Sequence, residues 1–301
     1  MDFFDEARGM FEAGSSAIKG AVSGVAIENH AFMRGFVRLC SDGFAQGWHE
    51  RNGGNVSYRL TEREVEQCRA FFASEPGDWQ PLGLQVANMG GAFFAVTATG
   101  SYLRNVELDV ERNVGIVQIG ADGSAYRVVW GLKEGGRPTS ELPSHVMIHG
   151  VRSEATGGAS RVLYHAHPSN VIALTKVLPL DDRTFTRALW KAMTECVIAI
   201  PTGIGVVPWM VPGSIEIAQA TAELMKTYEA TIWAQHGLFA SGVDFDSTFG
   251  LVHTVEKSAG IYAQARLLAG GSDAFLNTIS DDDLRAIAKR YSLPINEAFL
   301  D

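Results

Sequence analysis

The sequence has 301 residues, of which 46% are hydrophobic and 20% charged, and its formal net charge is −9. A globular chain of this length and composition buries a large core, so folding requires neither a structural metal nor a disulfide framework. An acidic chain also lacks the basic face that nonspecific nucleic-acid binding needs, so we expect no nucleic-acid partner.

Cysteine usage and the N-terminus indicate where the protein works. The three cysteines, Cys40, Cys68 and Cys196, follow no spacing pattern, which is typical of a reducing compartment. Residues 1–6 are acidic, unlike a signal peptide, and no apolar run is long enough to span a bilayer. We therefore expect a cytoplasmic protein with no membrane partner. Residues 1–25 are predicted to be a weakly structured leader, followed by one domain over residues 26–301.

The first half of the chain predicts one helix followed by strands. Apolar residues at helical spacing predict a helix over residues 26–48, which ends in the turn-forming run 51–55. Alternating patterns predict strands over residues 56–60 and 93–99. Two further runs that flank a glycine-rich turn predict a β-hairpin over residues 115–130.

The second half predicts short strands between helices. Helices are predicted to begin at Thr139, Ser214, Asp246 and Ser280, the last with a capping box to Asp283. Strands are predicted over residues 161–167, 197–200 and 231–235, with an ordered loop over residues 201–212. Hairpins mixed with helices predict a largely antiparallel sheet with helices packed on it. No G-x-G-x-x-G run follows a strand, so a dinucleotide-binding fold is excluded.

The sharpest local motif is His165-Ala166-His167. Side chains at i and i+2 of a strand share one face, so both imidazoles could bind one metal. His236, which follows another predicted strand, is the best candidate for a third ligand. Three histidines and one open position are typical of a catalytic zinc site. His145 and His149, four residues apart on a helix, are a competing pair, and for every one of these histidines a packing role is the alternative.

Small donor residues cluster at the ends of three predicted elements, in the runs 52–55, 97–100 and 139–140. Each run is explained by a turn or a cap, but together they favour a phosphorylated ligand, since backbone N–H groups and hydroxyls bind anions. Glu141 follows at a predicted helix start, where it could complement the helix dipole, bind a metal or carry a proton. Glu195 precedes the predicted strand at 197–200. It could belong to the site, or it could simply be a solvated residue at the end of that strand.

Four motifs together resemble the class II aldolase/adducin family: residues 47–55, 138–143, 165–167 and 208–213. Their order and spacing match, and the resemblance extends from about residue 26 to the C-terminus. It implies an α/β fold, a three-layer α/β/α sandwich around a mostly antiparallel central sheet.

The resemblance also implies a function, namely metal-dependent retro-aldol cleavage of a phosphorylated ketose. It implies one Zn²⁺ per subunit, bound by His165, His167 and His236, with Glu141 as the catalytic acid/base. It implies a homotetramer with active sites at subunit interfaces, where Glu195 reaches the aldehyde end from a neighbouring subunit. The residues implied to surround the phosphate are Asn52, Gly54, Asn55, Thr99, Gly100, Thr139 and Ser140.

Alternatives within this family are open. The substrate could be another sugar phosphate, such as L-fuculose 1-phosphate or a phosphopentose that is epimerised, and a non-catalytic scaffold is a further alternative. Retention of the three histidines and Glu141 disfavours the scaffold. A Schiff-base mechanism is disfavoured because Lys133 is the only lysine near a predicted strand end. The chain departs from the family pattern at Ser101, where a lysine is expected, so the implied phosphate site lacks that cation.

Overall fold

The computed structural model describes residues 26–301, and nine strands within this range form one sheet. In chain order these are β1 (Asn55–Arg59), β2 (Gln80–Pro81), β3 (Phe93–Thr97), β4 (Val114–Ile119), β5 (Ala125–Gly131), β6 (Val162–Ala166), β7 (Gly205–Val207), β8 (Ala230–Trp233) and β9 (Gly237–Gly242). Their order across the sheet is β2-β5-β4-β3-β1-β6-β9-β8-β7. Only β7 and β8 pair in parallel, which confirms the predicted largely antiparallel sheet. The predicted leader, residues 1–25, lies outside the described residues.

Helices connect these strands. They are α1 (Ala31–Ala45), α2 (Glu62–Cys68), α3 (Val110–Asn113), α4 (Leu142–Ala155), α5 (Ser169–Leu174), α6 (Asp182–Ala192), α7 (Thr194–Ala199), α8 (Ile215–Leu224), α9 (Phe245–Leu268) and α10 (Asp281–Tyr291). The capping box predicted for the last helix is present, because Ser280 accepts from the Asp283 N–H and the Asp283 carboxylate accepts from Ser280. No helix within residues 26–301 is both long and apolar enough to cross a membrane.

Strand β6 shows why the sheet carries a helical layer on each face. Val162, Tyr164 and Ala166 pack in one apolar cluster with side chains of α1 and α9. Leu163, between them, packs in a separate cluster with side chains of α4 and α8. Since successive strand residues face opposite sides of a sheet, the two clusters lie on opposite faces. The protein is therefore the expected α/β/α sandwich, and odd-numbered β6 residues face α4.

Several predicted elements differ from the structure. Residues 197–200, predicted as a strand, belong mainly to α7, because a four-residue apolar run carries no period that separates a strand from a buried helical turn. The predicted loop over residues 201–212 contains β7. Asp244 rather than Asp246 caps α9, since its carboxylate accepts from the Ser247 N–H. The helix predicted from Thr139 begins at Leu142.

The three cysteines, Cys40, Cys68 and Cys196, are buried and form no disulfide. Burial raises the pKa of the Cys68 thiol to about 11 and that of the Cys196 thiol to about 12, so both stay protonated at neutral pH. They behave as small apolar side chains of the core.

Candidate active site

Three predicted histidines converge at one point of the sheet. His165 is the penultimate residue of β6, His167 follows that strand, and His236 lies in the turn between β8 and β9. The Nε2 atoms of His165 and His167 are 3.2 Å apart, and those of His165 and His236 are 3.4 Å apart. The predicted common face of His165 and His167 is therefore confirmed.

The donor set of this cluster fits a metal ion. His165 Nδ1 lies 3.2 Å from the Leu238 carbonyl, and His167 Nδ1 lies 2.7 Å from a Glu50 carboxylate oxygen. Both partners accept hydrogen bonds, so each ring carries a proton on Nδ1, and in its neutral form it presents a lone pair at Nε2. Two lone pairs 3.2 Å apart repel each other unless a cation lies between them. Tetrahedral ligands about 2.05 Å from a zinc ion stand about 3.3 Å apart, close to the separations observed.

Burial keeps two of these rings available as ligands. It lowers the pKa of His165 well below its usual value and the pKa of His236 to about 4. Both imidazoles are therefore neutral near pH 7, the form in which histidine binds metals. His236 Nδ1 is buried without a hydrogen-bond partner among the described residues.

The turn that presents His236 depends on two unusual backbone positions. Gln235 has a φ of 62°, in the left-handed region, where non-glycine residues are uncommon. Such conformations concentrate at functional sites. A Cβ at Gly237 would lie 2.3 Å from the Ala166 carbonyl oxygen and 2.9 Å from the His167 ring. Only glycine therefore lets β9 approach β6 this closely beside the histidine cluster.

Glu141 lies at the N-cap position of α4 but does not cap the helix. Pro143 removes one of the two N–H groups that an N-cap side chain commonly accepts from, and the Glu141 side chain makes no cap hydrogen bond. It instead accepts from Asn55 Nδ2 at 2.8 Å, and only 8% of the residue is exposed. Burial raises the pKa of Glu141, and the Asn55 hydrogen bond opposes that rise. A carboxyl group with a raised pKa is suited to exchanging protons near neutral pH.

The loop of residues 50–54 packs tightly against the histidines. Gly54 has a φ of 76°, and a Cβ there would lie 2.4 Å from His49 Nδ1 and 2.7 Å from the His165 carbonyl oxygen. His49 is itself held by the Tyr164 hydroxyl, 2.6 Å from its Nε2, and its Nδ1 lies 3.1 Å from the Gly53 carbonyl oxygen. The buried His49 ring thus fixes the position of this loop.

These elements enclose a cleft of about 180 Å³. It is lined by Asn52, Gly53, Gly54, Asn55, Ala98, Thr99, Gly100, Thr139, Ser140, Glu141, His165, His167, Pro212 and His236. Every phosphate, metal and acid–base residue that the family resemblance implies is among them except Glu195, whereas the competing pair His145 and His149 is not. Among residues 26–301 no lysine or arginine lines the cleft, so these residues would hold an anion through amides and hydroxyls, together with a metal ion once one is bound.

Ser101, where the resemblance led us to expect a lysine, hydrogen-bonds within the loop beside this cleft. Its hydroxyl donates to the Asn113 side-chain oxygen. Asn113 in turn donates to the carbonyls of Asn105 and Asp109. Ser101 therefore secures the turn that carries Thr99 and Gly100.

Glu195 is exposed, in the first turn of α7, and lies outside the cleft of its own subunit.

A larger cavity of about 690 Å³ lies between α6, α9 and residues 273–278. It is not the better candidate site, because its cations are already paired. Arg187 and Lys191 both contact Asp281, and Arg187 also contacts Asp301.

Sequence reasoning missed Glu50 as a site residue. Its carboxylate orients His167, a partnership that commonly supports metal-binding histidines. The signal for it was its position two residues before the predicted anion-binding run, but nothing in the sequence pairs it with a histidine 117 positions away. The competing pair His145 and His149 is close to the site without joining the metal cluster, because both rings point at β1.

Comparisons with known proteins identify the family of this chain. Residues 34–263 match the family model described as the class II aldolase and adducin N-terminal domain. A rhamnulose-1-phosphate aldolase of Klebsiella pneumoniae is 42% identical over 270 residues, which cover 90% of this chain and 96% of that protein. One of Escherichia coli is 41% identical over 262 residues, which cover 87% of this chain and 94% of that protein.

Solved structures show the same fold. A sugar-phosphate aldolase from Thermotoga maritima superimposes with a TM-score of 0.66 at 28% identity, covering 80% of this chain and 96% of that one. An L-fuculose-1-phosphate aldolase from Thermus thermophilus has a TM-score of 0.52 at 22% identity, with coverages of 80% and 97%. The second likeness, at this low identity, concerns the fold alone.

Proposed function

The chain belongs to the class II aldolase and adducin family, and we propose that it cleaves L-rhamnulose 1-phosphate to dihydroxyacetone phosphate and L-lactaldehyde. It is an aldolase, a carbon–carbon lyase, and its family depends on a metal ion. We propose Zn²⁺ as that metal, one per subunit, and residues 26–301 as one catalytic domain. The choice of rhamnulose phosphate is supported by relatives of that name that match about nine-tenths of the chain.

The observation that carries this proposal is the meeting of three imidazoles and one buried carboxyl group in a single cleft. His165, His167 and His236 supply the neutral nitrogen ligands that zinc prefers, and fewer than four protein ligands leave a position for substrate. Glu141 lines the same cleft. When bound, the metal supplies a Lewis acid that polarises the substrate carbonyl and stabilises the negative charge left at C3.

The protein's own residues divide the remaining work. Cleavage breaks the bond between C3 and C4, removes the proton of the C4 hydroxyl and delivers a proton to C3. We assign the delivery to Glu141, whose buried carboxyl group is held by Asn55 at the edge of the cleft. Amide and hydroxyl donors around the cleft would hold the phosphate, which orients the reacting carbons through binding energy remote from them. The donors assigned to it are Asn52, Gly54, Asn55, Thr99, Gly100, Thr139 and Ser140.

A panel of ketose phosphates tests the substrate. The zinc-loaded protein should release dihydroxyacetone phosphate from L-rhamnulose 1-phosphate with a higher kcat/KM than from L-fuculose 1-phosphate. Unphosphorylated L-rhamnulose should be cleaved poorly, because it lacks the remote binding energy of the phosphate. Release is measured by enzymatic reduction of dihydroxyacetone phosphate with NADH.

The other family activities would give different results in the same assay. A preference for L-fuculose 1-phosphate would contradict the substrate assignment but keep the mechanism. Conversion of a phosphopentose to its epimer without released dihydroxyacetone phosphate would indicate an epimerase. No turnover of any sugar phosphate by metal-loaded protein would favour a scaffold.

We also propose that active sites lie at the interfaces of a homotetramer and that Glu195 serves the site of a neighbouring subunit. The support is its position, because Glu195 is exposed and lies outside the cleft of its own subunit. From a neighbour it would manage the proton on the C4 oxygen as the bond breaks. The resemblance to the family suggested this arrangement, and a cyclic assembly would repeat it at every interface.

Mixing two inactive variants tests this sharing of sites. Glu141→Ala and Glu195→Ala should each be nearly inactive alone. After dissociation, mixing in equal amounts and reassembly, about a quarter of the sites should contain both intact residues, since each comes from an independent chain. Activity should therefore recover to about a quarter of the wild-type value. Each variant reassembled with itself is the control, and no recovery in hybrids verified by native mass spectrometry would contradict the shared site.

A further inference from the structure

Strand β1 and helix α4 face each other through two matching rows of polar side chains. Asn55 and Ser57 are two residues apart on β1 and lie on the face opposite Val56 and Tyr58, which pack in the cluster with α1 and α9. Glu141, His145 and His149 recur every four residues at the start of α4 and along it. Repeats of two in a strand and four in a helix both advance about 6 Å, so the two rows stay in register.

The two rows are joined by an unbroken series of hydrogen bonds. His149 Nε2 lies 2.9 Å from Ser57 Oγ, which lies 2.6 Å from His145 Nδ1. The other ring nitrogen of His145, Nε2, contacts Asn55 Oδ1. Asn55 Nδ2 donates to Glu141 Oε2 at 2.8 Å. The series therefore ends on the carboxyl group assigned to proton transfer.

Both rings in the series are neutral and sealed from water. Ser57 and His145 are fully buried and His149 is 2% exposed. Burial lowers the pKa of His145 to about 3 and the pKa of His149 well below its usual value. Each ring thus has one N–H and one lone pair, which restricts how protons can be placed along the series.

One proton arrangement satisfies every contact when Glu141 Oε2 is an acceptor, either in the ionised carboxylate or with the acid proton on Oε1. The carboxylate accepts, so Asn55 must present its NH₂ to Glu141 and its oxygen to His145. His145 then donates from Nε2 and accepts at Nδ1 from the Ser57 hydroxyl. Ser57 accepts in turn from His149 Nε2–H. All the donors point toward Glu141, and both rings are Nε2–H tautomers.

We propose that His149, Ser57 and His145 are positioning residues, a directional relay that holds the Asn55 amide with its NH₂ toward Glu141. The two ends of an amide are nearly equal in size, so the pocket shape alone does not select its orientation. A flipped Asn55 would present its oxygen to an ionised Glu141, and two acceptors would repel. The relay prevents the flip and leaves Glu141 Oε1 for the substrate. This inference rests on the proposed function for its kinetic consequence, but the proton arrangement itself does not.

Tautomer measurement tests the arrangement without any turnover. The protein is labelled with ¹⁵N-histidine and studied by NMR near pH 7, with His145→Gln and His149→Gln used to assign the two rings. We expect both rings to show a protonated Nε2, a lone pair at Nδ1 and slowly exchanging Nε2–H protons. A protonated Nδ1 on His145 would overturn the proposal, because the reverse arrangement presents the Asn55 oxygen to Glu141 and requires a protonated carboxyl group.

A graded pair of variants tests the kinetic role. His145→Leu removes the donor to Asn55 and should lower kcat about 10- to 100-fold with KM changed less than about threefold, as for other orienting partners. His145→Gln keeps an amide donor near the former Nε2 and should recover most of that loss. Ser160→Ala is the matched control, because Ser160 is also buried and hydrogen-bonded but lies outside the cleft. It should change thermal stability without changing kcat.

The outcomes separate the relay from the proposed function. If the wild-type protein cleaves no ketose phosphate, the proposed function fails and the tautomers still test the relay. If the wild-type protein is active and His145→Leu folds, keeps its metal and retains full kcat, the positioning role is wrong. Equal kcat losses in His145→Leu and His145→Gln at equal stability would also contradict it, since only one of them lacks a donor. Should His145→Leu not fold, Ser57→Ala replaces it with the same expected loss of kcat.

Discussion

Replacing Glu141 by glutamine should lower kcat by about 10²- to 10⁴-fold, the range for loss of a general acid–base group. Glutamine keeps the size of the side chain and an oxygen that accepts from Asn55 Nδ2, so the hydrogen bond at the edge of the cleft survives. It cannot carry a proton to C3. Metal content, thermal stability and KM should therefore change little, and steady-state kinetics with metal analysis measure the separation.

The control for this change lies on the same helix. Glu154 is exposed near the other end of α4, where it accepts from Asn88, so Glu154→Gln makes the same chemical change far from the cleft. It should leave kcat at the wild-type value. Full activity in Glu141→Gln would show that Glu141 does not transfer the proton and only begins a helix.

Removing the metal should abolish cleavage, and added Zn²⁺ should restore it. The three Nε2 atoms lie too close together to be satisfied by one another, and no lysine or arginine of residues 26–301 lines the cleft beside them. His167→Ala should lose stoichiometric zinc yet unfold cooperatively, because the apolar clusters on both faces of the sheet do not include this ring. Atomic absorption, calorimetry and turnover on one preparation measure the three effects.

Two further variants test whether the loss of turnover follows the loss of zinc affinity. Glu50→Gln weakens the partner of His167 Nδ1 without removing a ligand, so zinc affinity should fall about 10- to 100-fold while saturating zinc restores turnover. His253→Ala is the control, because this exposed histidine packs on Trp48 and Phe249 and is not one of the three clustered histidines. Undiminished turnover in metal-free wild-type protein would reject the mechanism.

A site residue could be predicted from the sequence only where its pattern involves neighbours along the chain. His165 and His167 are predictable because a strand has a period of two, and both lie on one face whatever the rest of the fold does. Glu50 and His49 are not, since their partners lie more than a hundred positions away and are brought near only by the pairing of β1 with β6. The spacing of His145 and His149 correctly indicates a helix. It does not indicate whether the two rings contact Ser57 or bind a metal.

The same limit applies to the fold. The hairpin of β4 and β5 is predictable because a glycine-rich turn and two alternating runs are local features. The run 197–200 is not, because four apolar residues suit either a strand or a buried helical turn, and here α7 packs against α6, α9 and α10. Strand β9, directly after His236, was not predicted. Its glycines and small residues have little strand propensity of their own.

The long separation of the site residues along the chain limits how early a growing polypeptide could assemble this site. His165 and His236 are 71 positions apart along the chain, and His145 and Asn55 are 90 positions apart. Contacts of such range form late, because the loss of entropy in closing long loops precedes the gain from the contact. A nascent chain therefore emerges with a pair of histidines but no third ligand. We therefore expect metal-free chains to complete folding first and to gain activity when the metal is added afterwards, without a new round of synthesis.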